Sequence, residues 1–223
     1  MIKAVLFDLD GTLIDDESFT LSSKTIEGKK IGYDIDEATA KKSLGMSYEN
    51  SKNYFRALYG ADFPFDFFRQ KRFEYIVEDM RKNGIRWKDG AEAIVGFCRE
   101  NGIRTAICTS SSRKYLDAYA SFTDFFSKID RIVSGEDVKK GKPDPEIFLT
   151  AIEGFGIRSD EALVIEDSHN GVEAGLRSGA DVIMVPDLLE PDPEFVSNGG
   201  KVYKSLRDVI KYIEKKNGVI GND

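Results

Sequence analysis

Histidine and cysteine are scarce in this sequence. Its 223 residues include one histidine, His169, and two cysteines, Cys98 and Cys108. A single histidine excludes a multi-histidine metal site and most Ser-His-Asp nucleophile systems. The cysteines form no CxxC pair, which is typical of core thiols in a reducing compartment rather than of a disulfide framework.

Long apolar runs and an excess of basic residues are also missing. No run approaches the roughly 18 apolar residues of a membrane span, and the N-terminal run, Ala4 to Phe7, is too short for a signal-peptide core. The 32 basic and 39 acidic residues give a net charge of −7, which argues against a broad surface for nucleic acid or anionic membranes. We therefore expect a cytoplasmic protein without a nucleic-acid or membrane partner, and nothing in the sequence requires more than a monomer.

The sequence has enough apolar residues, 41% of the chain, for a sizeable core. Short apolar runs alternate with helical patterns over most of its length. The predicted strands are residues 3–8, 104–109, 131–134, 162–166, 181–185 and a short 201–203. The predicted helices are residues 91–101, a segment from 113, 144–155, 171–178 and 206–216. This alternation predicts an α/β fold, a doubly wound Rossmann-like parallel sheet with helices on both faces.

Residues 15–84 have a different pattern. Charged and aromatic residues recur there at helical spacing, and no stretch alternates like a convincing strand. We predict roughly four helices in this stretch. The chain thus divides into an α/β core, residues 1–14 and 85–223, and a small inserted helical domain, residues 15–84, which we name the helical segment.

Two carboxylates, Asp8 and Asp10, follow the first strand within the run VLFDLDGTLID. Residues two apart on a strand point the same way, so both face one spot outside the sheet edge if the strand direction holds. Two such carboxylates repel each other unless a cation lies between them, and Mg²⁺ is the usual solution. The alternative is an Asx turn that closes the strand.

Three further strand ends carry polar groups. After the second, third and fourth strands come Thr109 and Ser110, Lys142, and Glu166 with Asp167. Ligands of parallel sheets bind outside the carboxyl ends of the strands, so we expect these groups to meet the two carboxylates of the first strand.

Together these groups suit phosphoryl transfer. Asp8 can attack phosphorus and form an aspartyl-phosphate, while Asp10 can protonate the leaving oxygen and later deprotonate water. Oxygen ligands for Mg²⁺ are available from Asp8, Glu166 and Asp167, with the backbone carbonyl of Asp10 as another.

The remaining groups suit phosphate binding. Thr109 Oγ and the Ser110 amide can hold phosphate oxygens at a helix N-terminus, and Lys142 can neutralise charge on the phosphate and on Asp8. Each group also has a structural alternative: a helix cap for the threonine and serine, a solvated loop lysine, and, for the Glu-Asp pair, acids that complement a helix dipole. Only phosphoryl transfer requires all of them at one sheet edge.

With Asp8, Asp10, Thr109, Lys142 and Asp167 in this order, and with the motifs DLDGT and IEDSHNG, the chain resembles the haloacid dehalogenase-like (HAD) superfamily. The resemblance covers essentially the whole chain. The position of the helical segment resembles the subfamily with an α-helical cap, which includes β-phosphoglucomutase, phosphoglycolate phosphatase and sugar-phosphate phosphatases.

The resemblance implies a role for each of these residues. Asp8 would be the nucleophile and Asp10 the acid/base, and Mg²⁺ would be held by Asp8, the Asp10 carbonyl and Asp167, with Glu166 assisting. Dehalogenases and phosphonatases of the superfamily lack an acid/base aspartate at the position of Asp10, so its presence favours phosphate-ester chemistry.

Two departures weigh against a mutase. Thr20 stands where members resembling β-phosphoglucomutase carry a cap histidine, and Tyr48 stands where they carry an arginine after a Gly-x-Ser run. Lys71 corresponds to a cap lysine of such proteins, which keeps the mutase alternative open. The candidate substrate-binding residues are Gly11, Ser110, Tyr48 and Lys71.

The sequence therefore predicts a Mg²⁺-dependent phosphatase that acts on a small phosphorylated metabolite, a sugar or polyol phosphate. A β-phosphoglucomutase-like sugar-phosphate mutase is the alternative, and a non-enzymatic module that binds a phospho-metabolite or a protein is a third hypothesis. We interpret His169 as an exposed residue at the start of a helix rather than as a ligand.

Overall fold

A six-stranded parallel sheet forms the centre of the computed structural model, which describes residues 1–218. Its strands are β1 (Ala4–Phe7), β2 (Arg104–Cys108), β3 (Arg131–Val133), β4 (Ala162–Glu166), β5 (Asp181–Met184) and β6 (Lys201–Val202). They lie in the order β3-β2-β1-β4-β5-β6. The predicted α/β fold is confirmed.

Strand β1 occupies the middle of the sheet, between β2 and β4. Phe7 pairs in register with Ile107 on one side and Ile165 on the other. The residues that follow these three positions therefore leave the sheet side by side. The chain direction across the sheet also changes here, since β2 and β3 extend to one side of β1 and β4 to β6 to the other, and this switch point is where parallel sheets bind ligands.

Residues 15–84 contain the helices α1 (Glu17–Lys30), α2 (Glu37–Lys42), α3 (Tyr48–Tyr59) and α4 (Phe65–Asn83). Aromatic rings form much of a separate hydrophobic cluster between them, centred on Phe55, Phe63 and Phe68. The rings of Phe55 and Phe63 stack with centroids 5.5 Å apart. The aromatic spacing that predicted helices thus also supplies the core of the helical segment.

The helices after the helical segment are α5 (Ala91–Glu100), α6 (Arg113–Ala120), α7 (Glu146–Phe155), α8 (His169–Arg177), α9 (Pro193–Ser197) and α10 (Leu206–Asn217). Side chains alternate along β1, so that Val5 and Phe7 join one hydrophobic cluster with α5, α6 and α10, while Ala4 and Leu6 join a second with α7 and α8. Helices therefore cover both faces of the sheet, as predicted. None of the helices described is both long enough and apolar enough to cross a membrane.

Three helices differ from the sequence prediction. Helix α7 begins at Glu146, two residues later than predicted. Helix α8 begins at His169, two residues earlier than predicted, because Ser168 caps it by accepting a hydrogen bond from Gly171 N (3.1 Å). Helix α9 was not predicted, although it has a recognisable start in Asp192, whose side chain accepts from Glu194 N, followed by Pro193 in the first turn.

The helical segment lies directly against the carboxyl edge of the sheet. A Cβ atom added to Gly45 would lie 2.9 Å from Ser168, and one added to Gly141 would lie 2.6 Å from Ser47 Cβ. Both distances are shorter than a carbon side chain tolerates, so the loop before α3 is packed tightly on the loops that follow β3 and β4. This contact encloses a cavity between the helical segment and the strand ends.

Candidate active site

Lys142 is the centre of a buried ion-pair network. Its Nζ atom donates to Asp8 Oδ1, to Glu166 Oε1 at 2.5 Å and to the carbonyl of Cys108 at 3.0 Å. The residue is 2% exposed, so it is no solvated loop lysine. Burial works against its charge, but Asp8 and Glu166 outweigh that effect and hold the pKa of Lys142 above its ordinary value. The lysine is therefore a fixed positive charge beside Asp8.

Glu166 accepts hydrogen bonds with both carboxylate oxygens. Oε1 receives Lys142, and Oε2 receives Asp167 N, Ser168 N and Ser168 Oγ, each at 3.0 Å. A Cβ at Gly171 would lie 1.8 Å from this carboxylate, so only glycine leaves room for it. These contacts make Glu166 the residue that orients Lys142 and shapes the turn carrying Asp167.

The carboxylates of Asp8, Glu166 and Asp167 form a group suited to a metal ion. They are buried, and one oxygen from each lies within 4.8 Å of the others. Thr12 Oγ1 donates to Asp167 Oδ1 at 3.1 Å and orients it. Lys142 supplies one positive charge to three carboxylates. A divalent cation would supply the two further positive charges that neutralise the group. Hard oxygen ligands of this kind fit Mg²⁺.

Electrostatics at Asp8 lead to the same conclusion. Burial raises the pKa of Asp8 well above its ordinary value; Lys142 lowers it, and Glu166 and Asp10 raise it further. A cation at this position would favour the ionised carboxylate and offset the cost of burying it.

Asp10 lies next to this group and is held by hydroxyl donors. Ser111 Oγ donates to Asp10 Oδ2 at 2.6 Å and Thr109 Oγ1 lies 3.4 Å from the same oxygen. Tyr119 OH lies 3.1 Å from Asp10 Oδ1 and 2.8 Å from Asp16 Oδ2. Burial first, and then the two acids, raise the pKa of Tyr119 well above its ordinary value, so the phenol keeps its proton and remains a donor.

Sequence reasoning missed Ser111, Tyr119 and Asp16. Ser111 directly follows the predicted Thr109-Ser110 pair, and that proximity was the available signal. Tyr119 lies on the inner face of α6, 2% exposed, where the sequence pattern indicates only a core aromatic residue. No spacing rule connects it to an acid from the start of the chain.

Two of the predicted phosphate-binding residues line the cavity, and Gly11 does not. Thr109 is buried, lines the cavity together with Ser110, and accepts a hydrogen bond from Ser111 N at 3.0 Å. Helix α6 starts at Arg113, so Ser110 precedes the helix rather than capping it. Gly11, with φ of +87°, closes a turn by donating to Ile14 O at 2.9 Å and is not among the residues that line the cavity.

The cavity has a volume of about 160 Å³ and combines the sheet edge with the helical segment. Thr20 and Tyr48 line it, but the hydroxyl of Tyr48 donates to Asp66 Oδ1 at 2.5 Å. Lys71 is not brought to this cavity. Its side chain pairs with Glu74 at 2.8 Å and lines a different surface cavity on the helical segment.

His169 is exposed, as interpreted from the sequence, and it is the first residue of α8. Its Nε2 atom lies 2.7 Å from the carbonyl oxygen of Glu190. This contact ties the start of α8 to the loop before α9. The candidate metal ligands Asp8, Glu166 and Asp167 are all carboxylates.

A family model described as haloacid dehalogenase-like hydrolase matches residues 5–185. The chain belongs to this family. The expected resemblance is therefore confirmed, and it spans both the helical segment and the strand ends that carry the site.

Curated relatives include two phosphatases of phosphorylated carbohydrates. The chain is 30% identical to hexitol phosphatase A of Escherichia coli over 82% of each chain. It is 27% identical to the phosphorylated carbohydrates phosphatase of Thermotoga maritima, over 82% of this chain and 84% of the relative.

Solved structures with the same fold include a mutase. β-Phosphoglucomutase from Clostridium difficile is 24% identical, with a TM-score of 0.79 over 97% of both chains. CbbY from Rhodobacter sphaeroides, in complex with phosphate, is also 24% identical, with a TM-score of 0.80 over 94% of this chain and 96% of that one. At these identities the likeness shows the fold alone.

Proposed function

We propose that this phosphatase of the HAD family hydrolyses the phosphate ester of a small sugar or polyol through an aspartyl-phosphate on Asp8, with Mg²⁺ as its cofactor. The observation that carries the proposal is the meeting of Asp8, Asp10, Lys142 and Asp167 at one edge of the sheet, all lining one cavity. Three loops contribute to this meeting, and a purely structural role for any one residue does not require the others.

The carboxylates of Asp8 and Asp167 would hold the metal ion, with the Asp10 carbonyl as a further ligand. Both oxygens of Glu166 already accept hydrogen bonds, which favours a supporting role for it. When bound, Mg²⁺ supplies positive charge for the phosphoryl oxygens and for the ionised Asp8. Lys142 would supply further positive charge beside the Asp8 carboxylate.

In the first step an oxygen of Asp8 attacks phosphorus, and the bond from phosphorus to the ester oxygen breaks. Asp10 gives its proton to the departing alkoxide, so that a neutral alcohol leaves. In the second step Asp10 takes a proton from water as the water oxygen attacks phosphorus. The bond from Asp8 to phosphorus then breaks, and inorganic phosphate is released.

Hydroxyl donors fix Asp10 for both steps. Ser111 and Tyr119 each engage a different oxygen of Asp10. Two contacts on two oxygens define the plane of the carboxyl group, which directs the proton toward the ester oxygen. The hydroxyl of Tyr119 is shared with Asp16, so the position of Asp10 also depends on the start of the helical segment.

We propose that the helical segment, residues 15–84, acts as a cap domain on the core formed by residues 1–14 and 85–223. The close approaches of Gly45 to Ser168 and of Gly141 to Ser47 support this proposal and would belong to a closed arrangement. Closure would exclude bulk water from the phosphoryl group and select the leaving group. The chemistry needs one chain only, and we keep the monomer and the cytoplasmic location as predictions.

The mutase is the alternative, since a fold shared with β-phosphoglucomutase is compatible with both reactions. Members resembling β-phosphoglucomutase carry a histidine and an arginine at the positions of Thr20 and Tyr48. Here Thr20 lines the cavity and the Tyr48 hydroxyl donates to Asp66, and this difference at the two positions favours the phosphatase.

The test is phosphate release from a panel of sugar, polyol, nucleotide and glycolate phosphates, with Mg²⁺ and with a chelator. Metal-dependent release from one compound class is the expected result. Conversion of β-glucose 1-phosphate to the 6-phosphate in the presence of a bisphosphate primer, without phosphate release, would establish the mutase instead.

A further inference from the structure

Two arginines of helix α4 face the cavity. Arg69 and Arg72 are one turn apart, on the same side of the helix, and both line the cavity with Asp8 and Asp10. Lys71 lies between them in sequence but on another side of the helix, where it pairs with Glu74. The orientation of α4 about its own axis thus places the two arginines, rather than the lysine, where they can contact a bound molecule.

The guanidinium group of each arginine packs against an aromatic ring. The guanidinium carbon of Arg69 lies 4.8 Å from the centre of the Tyr48 ring, and that of Arg72 lies 5.6 Å from the centre of the Phe68 ring. Arg72 Nε also donates to Ser23 Oγ at 3.1 Å. Arginine has five N–H donors, so this bond leaves most of its hydrogen-bonding capacity for a ligand.

Neither guanidinium forms an ion pair with a side chain that the structure describes. Burial lowers the pKa of Arg72, while Asp16 attracts its charge and opposes that effect. A partly buried guanidinium without an ion pair is costly, and a bound anion would offset that cost. Two such groups in one wall make the wall suited to an anion.

The arginines lie on the side of the cavity that receives the leaving group. Asp10, the proposed acid for the leaving oxygen, shares the Tyr119 hydroxyl with Asp16, and Asp16 lines the cavity together with Arg72. The phosphoryl group itself must lie against Asp8 and Lys142, at the sheet edge. The part of the substrate beyond the ester oxygen therefore meets the arginines.

We infer that the substrate carries a second anionic group, a carboxylate or a second phosphate, and that Arg69 and Arg72 bind it. The inference rests on the proposed function and narrows its substrate class to phosphorylated sugar acids or sugar bisphosphates. A cavity of about 160 Å³ restricts these to small molecules. The planar fork of arginine matches both carboxylate and phosphate oxygens.

Matched pairs of substrates test the inference. Glycerol 3-phosphate is compared with 3-phosphoglycerate, which adds a carboxylate, and fructose 1-phosphate with fructose 1,6-bisphosphate, which adds a phosphate. We expect kcat/KM to be about 10-fold or more higher for the second member of at least one pair, equivalent to about 1.4 kcal/mol. The pair that shows the preference distinguishes a carboxylate from a phosphate.

Variants of α4 assign the preference. Arg69→Gln and Arg72→Gln should lower kcat/KM for the preferred compound about 10-fold. They should change kcat/KM for the member of the pair without the second anionic group less than about 3-fold. Arg69→Lys and Arg72→Lys should retain part of the preference, and Lys71→Gln, from the same helix, should retain all of it. The inference would be overturned by higher activity on the members without the second anionic group. It would also be overturned if the arginine variants lowered kcat/KM equally for both members of a pair.

Binding separates this inference from the proposed reaction. The same compounds are titrated calorimetrically, with Mg²⁺, into Asp10→Asn protein. Tighter binding of the second members, abolished by adding Arg72→Gln, supports the inference even if no compound is hydrolysed, in which case only the proposed reaction fails. Equal binding of both members of each pair would overturn the inference, whatever the turnover.

Discussion

Lys142 Nζ lies 2.5 Å from Glu166 Oε1, and both side chains are almost completely buried. The same nitrogen donates to Asp8, so one ammonium group holds two carboxylates together below the cavity. Glu166 is in turn fixed by the backbone of its own turn. The position of the proposed nucleophile is thus set by a lysine from a loop between β3 and α7.

Replacement of this lysine should destabilise the fold as well as abolish activity. In Lys142→Met the carboxylates of Asp8 and Glu166 lose their shared cation, which should cost about 3–5 kcal/mol in the free energy of unfolding. Urea denaturation in a chelator measures this cost. Lys139→Met, an exposed lysine in the same loop, is the control and should change stability by less than about 0.5 kcal/mol. Equal stability of the two variants would show that the buried network contributes little.

Mg²⁺ should stabilise the folded protein through Asp167. At about 100 times its dissociation constant a ligand that binds only the folded state adds about 2.7 kcal/mol, so the midpoint of thermal unfolding should rise with Mg²⁺. Asp167→Asn should remove most of this rise, because one of the buried anionic ligands is lost. Asp160→Asn, whose carboxylate pairs with Arg158 at the surface, should keep it. A rise that persists in Asp167→Asn would place the ion elsewhere.

Tyr119→Phe should lower kcat with little effect on KM. The phenol donates toward Asp10 and Asp16, and loss of a hydrogen bond to a charged group costs about 1.5–3 kcal/mol. If Asp10 loses that much of its orientation, kcat should fall about 10- to 100-fold. Tyr59→Phe, which removes a hydroxyl bound to the Asp34 carbonyl in the helical segment, is the control. A kcat equal to that of the control would show that Ser111 orients Asp10 without help.

Gly45→Ala should impair closure of the helical segment. The added methyl would lie 2.9 Å from Ser168, so either the loop or the core must move, and kcat/KM should fall about 10-fold or more. Gly32→Ala is the matched control. Gly32 also has a positive φ, of +89°, but has no atom within 4 Å of the added carbon. Both variants carry a backbone penalty of about 1–2 kcal/mol, so stability should fall in both and activity in Gly45→Ala alone.

The fold and the four strand ends were predictable because their signals are local. An apolar run followed directly by an acid, as at Phe7 and Asp8, indicates both a buried strand and the polar group at its end. The alternation of strands and helices then brings such ends to one edge. The two cysteines were likewise interpreted correctly as core thiols, since both are buried and free.

The groups around Asp10 were not predictable because they depend on tertiary contact. Tyr119 and Asp16 are far apart in sequence, and neither belongs to a spacing pattern that indicates chemistry. A similar difficulty arises on α4, where Arg69, Lys71 and Arg72 are all basic and any of them could bind an anion. Successive residues of a helix point about 100° apart, and only the packing of α4 on the core determines which of them face the cavity.

The proposal that Asp8 becomes phosphorylated is tested most directly by trapping the intermediate. Protein carrying Asp10→Asn, in which activation of water is slowed, is mixed with Mg²⁺ and p-nitrophenyl phosphate, quenched in acid within one turnover, and digested for mass spectrometry. We predict one phosphoryl group on the peptide that contains Asp8, and none when Asp8 is also changed to Asn. Release of phosphate in that turnover without a phosphorylated Asp8, or with the phosphoryl group on another residue, would contradict the mechanism.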